Sequence, residues 1–280
     1  CSFAQSAKVM VLMDDYAATK DFYEQYKEEA NILLQSRIDW EIETITVDPS
    51  SLDAEIKKAY QSESDVIVTL GILVNSKIQQ LSSYSIPTLA AITLEEDTTI
   101  KTNIDNYSFI QSPFDFGADM ERFTSMVEMD KVGILVHPIQ KPFVQNYIMD
   151  YEFSDVDIEI ISSTGSLSDD MNQLPNDLDG MYVFPYIFSD SSSNVEYYEA
   201  LKQKKLPSFA MLGRRAVEQG VLAGRANSEF VDVFARKLAL NTMRALEGEN
   251  PADFETTVTG VEEEFVINIE TLRAIGIYPP

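Results

Sequence analysis

The chain has little of the chemistry on which most enzymes run. Among its 280 residues there are one cysteine, one histidine and one tryptophan. The lone cysteine, Cys1, can close no disulfide within the chain and leaves the folded body without a thiol nucleophile. The lone imidazole, His137, excludes metal sites built on two or more histidines, and a Ser-His-Asp hydrolase would have to rest on that residue alone. No glycine-rich phosphate loop, no Gly-x-Ser-x-Gly elbow and no His/Cys metal spacing occurs. No catalytic residue, cofactor or metal ligand is therefore assigned. Basic residues are scarce as well: 21 Lys and Arg stand against 46 Asp and Glu, a net charge of −25. Such a surface repels phosphate backbones and anionic bilayers, which argues against nucleic-acid binding. No apolar run is long enough to span a bilayer.

What is present is apolar and regularly spaced. With 45% hydrophobic residues in 280, the chain exceeds the size at which one core is usual, so two lobes are expected. Continuous apolar runs over 8–13, 65–70 and 88–92, with an alternating run over 40–47, read as strands. Between them lie helical spacings from Thr19, a candidate N-cap, to Leu34, from Leu52 to Gln61 and from Asn75 to Ser83. Tyr107–Ile110 reads as a crossover strand. A second series follows: strands near 131–136, 156–161, 180–184 and 207–212, with helices near 116–128, 142–152 and 194–204. Strands alternating with single helices imply right-handed crossovers and parallel sheets. The stretches 162–168 and 189–193 read as surface loops, and 228–247 as an amphipathic helix stopped at Gly248. The acidic runs Glu95-Glu96-Asp97 and Glu262-Glu263-Glu264 read as solvated faces.

In open α/β sheets, ligands bind outside the carboxyl ends of the strands. That rule selects Asp14 and Tyr16 after the first strand, Gly71, Ile72, Leu73 and Asn75 after the third, and Thr93 after the fourth. In the second series it selects His137, Tyr186, Phe188 and Arg214. Each has a plainer alternative. Asp14 with Asp15 could hold a cation, or face solvent beside a helix cap. His137 could be a loop histidine. Arg214 could clamp an anion, or pair with one of the many carboxylates. Tyr16 suits a stacking role, because a ring offers contact at low entropic cost.

Several segments resemble those of ABC-transporter solute-binding proteins of the tryptophan/tyrosine-binding type, in the type I periplasmic-binding-protein superfamily. They are Asp65-Val-Ile-Val-Thr-Leu-Gly71, Ile86-Pro-Thr-Leu-Ala90, Leu206-Pro-Ser-Phe-Ala210 with Gly213, Val217-Glu-Gln-Gly220, Ala223-Gly224 and Glu264-Phe-Val-Ile-Asn-Ile-Glu270 through Pro280. The resemblance implies two open parallel-sheet, Rossmann-like lobes with three hinge crossings. One lobe would hold residues 7–110 and 228–255, the other 111–227 and 256–280. It also implies a monomer that captures a small molecule between two lobes and hands it to a membrane permease. Amino-acid-binding relatives carry small hydroxylated residues at the turn matching 71–75, where a ligand carboxylate meets side-chain donors and helix amides. Here that turn is Gly-Ile-Leu-Val-Asn, so an apolar or aromatic solute is expected instead. A second reading is an envelope adaptor or sensor subunit that has lost uptake. Both place the protein outside the cytoplasm, in the periplasm or envelope. Cys1 fits either a lipid-modified lipoprotein terminus or the end of a signal peptide.

Overall fold

The computed structural model describes residues 6–35, 39–47, 50–94, 104–149, 151, 156–185, 187–211, 213–226, 230–259 and 264–277. Cys1, the acidic run 95–97 and Tyr186 lie outside the described residues. The chain divides into two compact units, and it passes from the first to the second at 112–113. Tyr16–Ala18 count with the second unit.

The first unit is built on five parallel strands: β1 (Ala7–Asp14), β2 (Trp40–Val47), β3 (Val66–Leu70), β4 (Thr88–Ala91) and β5 (Tyr107–Phe109). Their order is β2-β1-β3-β4-β5. The continuous apolar sequences of β1 and β3 suit their central places, where both faces are covered, while the alternating β2 forms an edge. Helices α1 (Ala17–Leu34), α2 (Leu52–Tyr60) and α3 (Ile72–Ile78) make the crossovers. Further along the chain, helix α9 (Phe230–Leu246) joins this unit. Two contacts fasten α9 to α1: the buried Tyr26 hydroxyl meets Thr242 Oγ1 at 3.1 Å, and the Arg236 guanidinium grips Glu29 through two bonds of 3.0 and 3.1 Å.

The second unit contains six strands: β6 (Lys131–Val136), β7 (Asp157–Ser162), β8 (Gly180–Val183), β9 (Ser208–Ala210), β10 (Ala223–Ala226) and β11 (Glu264–Ile267), in the order β11-β10-β9-β8-β6-β7. Its helices are α4 (Phe116–Met126), α5 (Lys141–Met149), α6 (Leu167–Gln173), α7 (Ser191–Gln203), α8 (Gly213–Glu218) and α10 (Ile269–Ala274). A buried polar knot ties three elements together. Asp119 on α4, fully buried, pairs with Arg225 Nε of β10 at 2.9 Å and accepts the Tyr182 hydroxyl of β8 at 2.7 Å. Arg225 also donates to the Pro113 carbonyl. Burial pushes the Asp119 carboxyl up to about 6 despite its cationic neighbour.

Four sequence expectations need correction, and one strand went unread. Thr19 is no cap: it lies inside α1, fully buried. Helix α3 begins at Ile72, three residues before the expected start, because a carboxylate from β1 caps it there. Part of the stretch read as loop belongs to α6, whose sequence Leu-Ser-Asp-Asp-Met-Asn-Gln has no apolar period and buries only Asp170 and Met171. Strand β10, Ala-Gly-Arg-Ala, has no β-branched residue; it forms because Gly224 lets β9 approach, and a Cβ there would stand 3.2 Å from the Ala210 carbonyl. Last, β11 runs antiparallel to β10, so the second sheet is parallel except at this edge. Among the described residues, no helix is long and apolar enough to cross a membrane.

Candidate functional site

Each sheet has one topological switch point, where neighbouring strands send their connections to opposite sides. In the first unit it falls between the carboxyl ends of β1 and β3, at Asp14 and Gly71. The Asp14 carboxylate reaches across and accepts the Leu73 amide at 2.7 Å and the Val74 amide at 2.9 Å. These are the first-turn donors of α3, which otherwise have no partner within the helix. Gly71 makes the approach feasible. Its φ is +113°, and a Cβ built on it would lie 2.5 Å from the Asp14 carboxyl. Asp14 has no exposed surface; burial pushes its carboxyl up to about 7, while the two amide bonds pull it down.

The neighbouring candidates in this unit are also internally engaged. Ile72 and Leu73 are buried. Asn75 accepts the Thr69 hydroxyl at 2.6 Å and donates to the Ala91 carbonyl at 2.7 Å, stitching α3 to β3 and β4. Thr93 is buried, and its amide donates to Ser112 Oγ at 3.1 Å. Just before it, Ile92 holds a φ of +60°, an uncommon conformation for a β-branched residue.

In the second unit the switch point lies between the carboxyl ends of β6 and β8. His137 follows β6 directly and is half-buried, and burial lowers its basicity. Its ring meets that of Tyr16 edge-on, at 6.4 Å between centroids. Three residues further on, Gln140 stands immediately before α5. It is fully buried, and neither its amide oxygen nor its amide nitrogen has a hydrogen-bond partner among the described residues. Beside it in the sheet, the end of β7 is fully satisfied: buried Asp170 accepts the Ser163 hydroxyl, the Thr164 amide and hydroxyl, and the Gln173 amide. Phe188 packs edge-on against Tyr197 of α7, on the margin of this unit's core. Arg214 forms an exposed ion pair with Glu264, which follows the plainer of its two sequence readings.

Asp14, Asn75 and Arg214 thus direct their polar atoms to partners within the protein. Sequence reasoning missed Gln140, which sat beside the chosen His137 and was readable only as one more polar loop residue. It also missed Asp119, because an acid in the first turn of an amphipathic helix ordinarily faces water.

No protein-family model matches the chain. No curated protein matches it either. Solved structures do. The ABC domain from Streptococcus pneumonia in complex with L-Trp superposes with a TM-score of 0.77 at 17% identity, covering 99% of this chain and 96% of that one. A conserved domain protein from Vibrio cholerae gives 0.79 at 14% identity, with the same coverage. An ABC-transporter solute-binding protein from Agrobacterium vitis, bound with α-D-tagatopyranose, gives 0.56 at 14%, covering 97% and 99%. The fold is that of the type I periplasmic-binding proteins.

Proposed function

We propose that the chain is an exported, non-enzymatic solute-binding protein that captures a small apolar or aromatic molecule and delivers it to a membrane transporter. The observation that carries this reading is the likeness in fold, over 99% of the chain, to a protein solved in complex with L-Trp. The ligand class rests on the first switch point. A ligand carboxylate arriving there would need the α3 amides, and Asp14 already accepts two of them. A buried carboxylate left short of a hydrogen bond loses on the order of 1–3 kcal/mol, about one to two decades of affinity. The residues that carry those amides, and Ile72 before them, have apolar side chains and offer no donor in place of the two amides already taken.

A thermal-shift screen tests the reading, since a ligand that binds the native state raises its melting temperature by mass action. Aromatic and lipophilic solutes are expected to raise it, and alanine, serine and leucine to leave it unchanged. A rise with those three amino acids alone contradicts the ligand class. No rise with any solute contradicts uptake and favours the adaptor role.

A further inference from the structure

Gln140 is the outlier among the polar groups at the two strand-end edges. Its carboxamide has two N–H donors and a carbonyl acceptor, all enclosed and all unpartnered among the described residues. Folded proteins rarely leave a buried amide in that state, because the group forfeits its water without gaining a partner. Its position makes the omission informative. Gln140 follows β6 at the switch point of the second sheet, the place where this class of fold receives ligands. The neighbouring buried acid, Asp170, is saturated by four donors, so the local packing is able to satisfy polar groups where no ligand is needed.

We infer that Gln140 reads a neutral head group bearing an adjacent donor and acceptor, a primary carboxamide or a lactam, on an otherwise apolar ligand. A carboxamide presents N–H to the Gln140 carbonyl and C=O to the Gln140 N–H, closing two parallel hydrogen bonds. A carboxylate can only accept, and it leaves the Gln140 carbonyl unpaired. This inference rests on the solute-binding reading above and narrows its ligand class.

Calorimetry with matched pairs tests it: indole-3-acetamide against indole-3-acetate, and phenylacetamide against phenylacetate. The wild-type protein is expected to bind each amide at least about tenfold more tightly than its acid. Gln140→Leu, with Gln140→Met as a second variant of similar size, is expected to erase that preference without lowering the melting temperature of the ligand-free protein. Equal affinity within each pair in the wild type overturns the inference. So does a fall of several degrees in the ligand-free variants, which would show that the amide has a partner within the protein. If other aromatic solutes bind but neither amide does, the inference fails alone. If no solute binds at all, the solute-binding reading fails with it.

Discussion

The two switch points of this molecule are built from similar parts and finished differently. In the first unit the buried polar groups at the β1/β3 edge bond within the protein: Asp14 caps α3, and Asn75 bonds across to β3 and β4. In the second unit the β6/β8 edge carries a buried carboxamide with no hydrogen-bond partner among the described residues. One strand-end edge of this fold is thus satisfied by the protein's own groups, and the other is the edge on which the proposed head-group recognition rests.

The contrast makes stability predictions that differ in size. Asp14→Ala strands two buried amides, each worth about 1–3 kcal/mol, and is expected to cost about 2–4 kcal/mol in a urea melt. A loss below about 0.5 kcal/mol would show that the cap is dispensable. Gly71→Ala forces a side chain into a positive φ and toward the Asp14 carboxyl, with an expected cost of about 1–3 kcal/mol. Here the loss should be smaller in the Asp14→Ala background, because the group that is struck has gone; full additivity would argue against the coupling.

The pH dependence is spread over several units. The Asp14 carboxyl sits at about 7 and Asp119 at about 6, both raised by burial from an ordinary 3.8. Each binds its proton more tightly folded than unfolded, so its contribution is complete below about pH 4 and is lost as pH rises toward 7. Stability is expected to fall across that window by up to about 1.4 kcal/mol per pH unit for each group. His137, whose basicity burial lowers, acts in the opposite sense: its contribution is lost as pH falls. The informative quantity is therefore the difference between wild type and Asp14→Ala, whose curve should be flatter. Identical slopes would show that Asp14 does not titrate in this range. The smallest effect is on the other edge: Gln140→Leu in the ligand-free protein should stay within about 0.5 kcal/mol of wild type or exceed it, since no bond is lost. A clear loss would erase the contrast between the two edges.

Much of the fold was legible in the sequence because it is written in long apolar runs. Val9–Met13 and Val66–Leu70 can only be central strands, and Gly248, at φ +94°, stops α9 where its position suggested. What failed was decided by tertiary context. Strand β10 exists because neighbours approach over a glycine, and α6 is fixed by the buried Asp170 and not by an amphipathic stripe. At the strand ends, the chemistry of each side chain separates the residues within the turns that the strand-end rule selects. Nothing in Asp14-Asp15 says which acid will turn inward to cap a helix 59 residues away, and nothing in Pro-Ile-Gln says that the glutamine will be buried unpaired.

The most direct test compares two ligands that share a ring and an ammonium and differ at the group Asp14 replaces: L-tryptophan and tryptamine, titrated calorimetrically into the wild-type protein at one pH. Tryptamine, which has no carboxylate, is expected to bind at least as tightly as L-tryptophan. An advantage of tenfold or more for L-tryptophan would show that a carboxylate finds its donors in this protein after all, and would contradict the assignment of Asp14 as the group that takes them.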